Sequence, residues 1–221
     1  LNEKFSELNT KSAMREAENR KDVIKEVKNE TGVELDIIDG ETEAEIIFSN
    51  FFTQKLDKSK SYLYIDVGGG STEVSLLKGG EKIASRSFKI GTIRMLKDKV
   101  ADEKWIDMKN WLKGLNIKEN ITAIGTGGNI NRILKIHKSN SNLLNYAEIK
   151  KIQAYITSYS LEDRVEVLGL RPDRADVILP ATDIYLAVMK YAGVAEMLIP
   201  KIGLTDGLIY SLHVESMKEK K

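Results

Sequence analysis

Eight residues, Asp66-Val67-Gly68-Gly69-Gly70-Ser71-Thr72-Glu73, constrain this chain more than any other stretch. They join two runs that read as strands, YLYIDV (62–67) and TEVSLLK (72–78), so the glycines connect strand to strand. Glycines let a backbone approach closely and expose consecutive N–H groups as an anion nest. Gly68, Gly69 and Gly70, with the hydroxyls of Ser71 and Thr72, therefore read as a phosphate cradle. Asp66 and Glu73 flank it and can hold Mg²⁺ or another divalent cation, directly or through its waters. The plainer alternative is a tight hairpin whose glycines only make the turn. Two familiar phosphate motifs do not fit. A Walker loop needs a lysine after the glycines, and a dinucleotide fingerprint needs a helix where a strand follows here.

Beyond this loop the pattern is mixed. EKIASRSFKI (81–90) reads as a third strand, joined to the second by Gly79-Gly80. Residues 92–114 carry helix periodicity, ITAIGT (121–126) is a fourth strand, and a helix runs on from Asn129. Residues 146–193 are predominantly helical around the turn GLRPDR, and EMLIP (196–200) is a fifth strand before a closing helix. Hairpin-linked strands followed by strands alternating with helices predict an α/β fold with a mixed five-stranded sheet flanked by helices. Upstream, residues 11–30 read as a helix stopped by Thr31-Gly32, VELDIID (33–39) as a strand, and 41–52 as a helix with an acidic first turn. The polar stretch QKLDKSKS before residue 62 is the best domain boundary.

A second glycine loop, Gly125-Thr126-Gly127-Gly128-Asn129, ends a strand and opens a helix. That is a natural anion or nucleotide-edge site, and equally a glycine turn with an N-cap. Glu41, Glu43 and Glu45 open helix 41–52, where acids ordinarily complement the helix dipole. Arg15, near the start of the first helix, can clamp a phosphate bidentately or sit on the surface as many arginines do. The chain has no cysteine and only two histidines, which excludes thiol catalysis, Cys-ligated metals and a His-rich centre. Chemistry must rest on carboxylates, hydroxyls, cationic side chains and backbone amides, with or without a hard metal ion. With 34 basic against 33 acidic residues, no overall field points to nucleic acid or a membrane surface. No apolar run reaches the roughly 18 residues of a membrane span, and LNEKFSELNT has no signal-peptide core, so a cytoplasmic protein is expected.

The motifs DVGGGSTEVSLL, IGTGGNINRIL, SAMREA, DGETEAEIIF and GLRPDRADVILP occur together and in order. Their set resembles the Ppx/GppA family, the exopolyphosphatases and guanosine pentaphosphate phosphohydrolases, from about Ser12 to Ile209. The resemblance implies an actin-like ATPase (ribonuclease H-like) fold. It implies that DVGGGSTE is the second phosphate loop, with Asp66 and Glu73 near a metal, and that Glu43 is the general base for the attacking water. By the same resemblance Arg15 belongs to the phosphate site and Gly127 and Gly128 to a loop that holds adenosine in relatives. The GLRPDRAD motif, with Arg171, Asp173, Arg174 and Asp176, reads mainly as structural.

The family's first phosphate loop, of the form D-[IL]-G-S-N-S, has no counterpart here, and Gly203-Leu204-Thr205-Asp206-Gly207 stands where the family has Gly-Leu-Arg-Glu-Gly. The expected organisation is therefore a partial first lobe over residues 1–57 and a complete second lobe over 58–221, with a helical insertion at about 140–193. The expected activity is Mg²⁺-dependent removal of terminal phosphates from inorganic polyphosphate. The alternatives are a guanosine pentaphosphate 5′-phosphohydrolase and a truncated, non-catalytic phosphate- or nucleotide-binding relative. A homodimer is implied by the family. Lys78, Lys82, Arg86, Lys89 and Arg94 are candidates for a basic track along a polyanion, or for a solvated hairpin face. A kinase of the same fold is disfavoured by the match at Glu43 and by the lack of a recognisable sugar-binding segment.

Overall fold

The three hairpin-linked strands form one half of a six-stranded mixed sheet in the computed structural model. The structure describes residues 7–10, 17–37, 57, 59–117, 121–138 and 141–200. The sheet contains β3 (Ser61–Val67), β4 (Thr72–Lys78), β5 (Glu81–Phe88), β6 (Thr122–Thr126), β7 (Leu143–Asn145) and β8 (Glu196–Leu198), in the order β5-β4-β3-β6-β8-β7. Strands β3, β4 and β5 pair antiparallel, β3-β6 and β6-β8 pair parallel, and β7 returns antiparallel to β8. Every residue of β3 is buried, as its near-continuous apolar run requires of a central strand. The edge strand β5 exposes Ile83, Ser85 and Arg86.

The expected count of five strands is corrected to six. Strand β7 is three residues long and buries only Leu144, too short for an alternating pattern to register. A second correction concerns residues 92–114, which form two helices, α2 (Thr92–Leu96) and α3 (Asp102–Gly114). Between them Asp98 takes a left-handed backbone (φ 49°), which interrupts the helix. Upstream, a separate two-stranded parallel sheet pairs β1 (Glu7–Thr10) with β2 (Glu34–Ile37). The segment LNEKFSELNT, which carries no strand signal, thus supplies β1. Helix α1 (Arg20–Thr31) precedes β2 and stops at Gly32 (φ 73°), as the Thr31-Gly32 signal predicts.

Over the main sheet lie α4 (Gly128–His137), α5 (Tyr146–Thr157) and α8 (Ile178–Ala192), with the short helices α6 (Leu161–Glu166) and α7 (Pro172–Ala175) in the connection. Helix α5 starts on a full capping box, Asn145 and Glu148 each satisfying the other's backbone N–H. Pro172 opens α7, where a missing N–H costs nothing. Helix α8 is the most apolar and buries Ile178, Ala181, Ile184, Tyr185, Val188 and Met189. They join Leu63, Ile65 and Val74 of the sheet and Met108 and Leu112 of α3 in one core. The glycine loops follow directly on the C-terminal ends of β3 and β6, whose last polar residues, Asp66 and Thr126, are themselves buried.

Candidate active site

Strand register lines up a polar row across four neighbouring strands: Ser87 on β5, Glu73 on β4, Asp66 on β3 and Thr126 on β6. Directly paired residues project from the same face of a sheet, so alternation places these side chains side by side. Asp66 and Glu73 are each only 6% exposed. One Glu73 oxygen, Oε1, accepts hydrogen bonds from Ser71 Oγ at 2.6 Å and Ser87 Oγ at 2.9 Å. The Thr126 hydroxyl lies 2.6 Å from the Tyr64 hydroxyl, and the Thr126 carbonyl accepts from Tyr185 Oη at 2.7 Å. Burial, and then the charge of Asp66, push the Tyr185 phenol well above its ordinary range, so it remains a donor.

The first loop is held by the segment after β5. The carbonyl of Gly68 accepts from Thr92 N (3.0 Å), and that of Gly69 from Ile93 N (2.9 Å) and Arg94 N (3.3 Å). The carbonyl of Gly70 accepts from Arg94 Nε at 2.7 Å. In a trans peptide the C=O and the following N–H point in opposite directions, and no peptide bond described is cis. Three carbonyls turned toward α2 therefore turn the N–H groups of Gly69, Gly70 and Ser71 the other way. Gly68 N donates to Ser71 O at 2.9 Å, which closes the turn. A side chain at Gly91 has no room: its Cβ would lie 2.5 Å from Gly69 O and Gly70 C.

Thr72, expected among the phosphate ligands, donates instead to the Ile90 carbonyl at 2.7 Å and is fully buried. Alternation explains this, since Thr72 shares the apolar face with Val74 while Glu73 takes the polar one. The Ser71 hydroxyl is likewise engaged, on Glu73. Both hydroxyls thus have partners within the protein, and the backbone amides are what the loop offers to a ligand.

The second loop approaches from β6. Gly127 has φ +100°, and a Cβ there would lie 2.9 Å from Asp66 Oδ1, so this loop passes directly beside the carboxylate. Gly125 faces Met197 Sδ, 2.6 Å from a Cβ position, and Gly128 faces the Arg174 guanidinium at 3.2 Å. Arg174 Nη1 also donates to Asn129 Oδ1 at 3.4 Å. The GLRPDR segment therefore braces this loop through Arg174, while Arg171 and Asp173 pair at the surface.

Of the five candidates for a basic track, at least two have specific partners within the fold. Arg86 pairs with Asp107 at 2.7 Å and lies over the Phe88 ring, and Arg94 is directed to Gly70. Lys78 pairs in register with Ser61 at the far end of the hairpin and lines a cavity of about 290 Å³ with Leu76, Ile83, Leu115 and Ile117. Arg15, Glu41, Glu43 and Glu45 lie outside the described residues, as do the expected helices at 41–52 and near the end of the chain. Sequence reasoning missed Gly91 and Tyr185, and it gave no sign of the bond from Arg94 to Gly70. A glycine directly before TIRML reads as a helix boundary, and only the close approach of another loop gives it further meaning.

Asp66 and Glu73 supply only oxygen donors, which fits the usual way of holding Mg²⁺, through one or two carboxylates plus substrate oxygens and water. Among the described residues no group of three or more metal-ligating side chains occurs. Among those residues no helix is long and apolar enough to cross a membrane.

The Ppx/GppA phosphatase family model matches residues 10–111 and 107–215 of this chain. A guanosine-5′-triphosphate,3′-diphosphate pyrophosphatase of Photobacterium profundum is 24% identical over 91% of this chain and 43% of its own length. Exopolyphosphatase 1 of Mycobacterium tuberculosis is 26% identical over 90% of this chain and 64% of its own length. The chain thus spans between about two-fifths and two-thirds of these two curated relatives. Among solved structures, an exopolyphosphatase from Cytophaga hutchinsonii has a TM-score of 0.78 at 22% identity, covering 92% of this chain and 73% of that one. A family member from Aquifex aeolicus has a TM-score of 0.72 at 24% identity, covering 97% and 74%. These likenesses bear out the α/β fold, and the family match spans both glycine loops: the chain belongs to the Ppx/GppA phosphatase family.

Proposed function

We propose that this chain is a divalent-cation-dependent phosphohydrolase that removes terminal phosphates from inorganic polyphosphate. The observation that carries the reading is the set of three consecutive N–H groups, Gly69 to Ser71, turned out of the loop beside Asp66 and Glu73. Transfer of a phosphoryl group to water needs chiefly positioning, neutralisation of charge and one water-orienting base. The amides of Gly69, Gly70 and Ser71 bind the terminal phosphate, and Gly127, followed by Gly128, passes beside Asp66. Asp66, with Glu73 beside it, would hold a divalent cation, which would supply neutralisation of the charge on the phosphoryl oxygens. Ser71 and Ser87 hold the Glu73 carboxylate in place. Arg15 clamps the substrate, and Glu43 takes the proton of the attacking water. Both assignments rest on the motif matches described above. The reading extends, on the same basis, to a cytoplasmic homodimer.

Guanosine pentaphosphate is the second reading, favoured by the relative in Photobacterium profundum. The test is release of inorganic phosphate from each substrate in Mg²⁺, by the chain and by Glu43→Gln. Loss of a general base predicts a fall of about 10²–10⁴-fold. A Gln variant at full rate, or a chain that releases phosphate from neither substrate, would contradict the proposal.

A further inference from the structure

We infer that Arg94 is a positioning residue for the anion cradle: by holding the Gly70 carbonyl, its guanidinium aims the Ser71 N–H at a bound phosphate. The inference rests on the phosphate reading of the loop and goes further by assigning a side chain to one of its three amides. The three peptide groups of the loop are not held alike. Gly68 and Gly69 carbonyls take their partners from the main-chain N–H groups of Thr92, Ile93 and Arg94, which any residue but proline would keep. The Gly70 carbonyl takes its partner from a side chain, Arg94 Nε at 2.7 Å. Only the last peptide, the one that carries the Ser71 N–H, therefore depends on what residue 94 is.

Three features suit arginine to the task. Its donor is cationic, and charge-assisted bonds are roughly twice as strong as neutral ones. A positive charge on a carbonyl also polarises the peptide, which makes the N–H at its other end a better donor. Lastly, the backbone N–H of Arg94 bonds Gly69 O while its side chain bonds Gly70 O, so one residue fixes two successive peptides. Without that side chain the Gly70–Ser71 peptide regains freedom to rotate, and glycine at 70 adds no steric restraint.

The experiment is a residue-resolved ¹H–¹⁵N NMR titration of the chain with inorganic tripolyphosphate, using the parent protein, Arg94→Ala and Arg94→Lys. In the parent, the amides of Gly69, Gly70 and Ser71 shift together with one affinity. In Arg94→Ala, affinity falls about tenfold, and the Ser71 shift at saturation shrinks while those of Gly69 and Gly70 persist. Arg94→Lys, which restores a cationic donor, recovers affinity to within about threefold of the parent. Binding by Arg94→Ala within twofold of the parent, with the Ser71 shift intact, overturns the assignment. So does equal loss at all three amides in both variants, the mark of a general packing role. A parent protein whose loop amides ignore tripolyphosphate overturns the cradle itself, an outcome distinct from a silent variant. Should Arg94→Ala lose its spectral dispersion, Arg94→Gln carries the same comparison with a neutral donor.

Discussion

The two glycine loops flank the same carboxylate, Asp66, yet the first is held chiefly by main-chain bonds, with Arg94 adding a side-chain bond, and the second chiefly by side chains. The first, Gly68–Ser71, is fixed by bonds from residues 92–94 to its carbonyls, and Gly91 is where another chain segment must touch it closely. The second, Gly125–Gly128, is shaped by side chains from distant segments: Met197, Arg174 and the hydroxyl of Tyr185. It also needs one left-handed backbone, at Gly127. One loop fails if the backbone approach is blocked. The other fails if its bracing side chains or its glycine conformation are lost.

The largest effect is expected at Gly91→Ala. The new Cβ would meet main-chain atoms at 2.5 Å, and main chain cannot swing aside as a side-chain tip can. Overpacking of this kind costs about 3 kcal/mol, and the variant should bind no tripolyphosphate. Urea unfolding checks the first part, and a cost under about 0.5 kcal/mol would break the claim that backbone contact shapes this loop. Gly127→Ala is expected next, at about 2 kcal/mol, from its φ of +100° together with the approach to Asp66 Oδ1. The carboxylate can rotate, so the loss should be smaller than at Gly91. The reverse order would invert the comparison.

Tyr185→Phe removes the bond to the Thr126 carbonyl and should cost about 1 kcal/mol at neutral pH. It also has a pH signature. The folded phenol titrates above its unfolded value, so its contribution is complete below about pH 10 and is lost as pH rises further. The gap between parent and variant should therefore narrow in strong alkali, as followed by denaturation at graded pH. The smallest effect is expected at Asp183, away from both loops. Burial raises its carboxyl, and a hydrogen bond from Gln153 offsets part of this. A raised folded pKa means stability is lost as pH rises through it. Asp183→Asn should then stabilise at neutral pH by less than about 1 kcal/mol, a gain that vanishes below about pH 4. An Asn variant that is less stable at pH 7 would show that the Gln153 bond outweighs burial.

Legibility in the sequence follows the same divide. Strands β3, β4, β5 and β6 read directly from their apolar runs and turn glycines, and the pairing of Asp66 with Glu73 follows once the hairpin is recognised. The face of each residue did not follow. Adjacency groups Thr72 with Ser71, but a period of two sends neighbours to opposite faces, and the Thr72 hydroxyl donates to the Ile90 carbonyl. Strand β1 was illegible, because ELNT has one apolar residue and depends on pairing with β2. Tyr185 reads as an ordinary core position of an apolar helix, and nothing local signals that its hydroxyl reaches a loop 59 residues away in sequence. Contacts between segments far apart in the chain carry the second loop, and periodicity alone does not encode them.

The most direct test of a phosphate and cation site at the ends of β3 and β4 is a crystal structure with Mn²⁺ and pyrophosphate, with the metal located by its anomalous signal. The account predicts an anomalous peak at the Asp66 carboxylate, and phosphate oxygens about 2.7–3.2 Å from the N–H groups of Gly69, Gly70 and Ser71. A peak and an anion bound elsewhere, with those three amides facing only water, would contradict it.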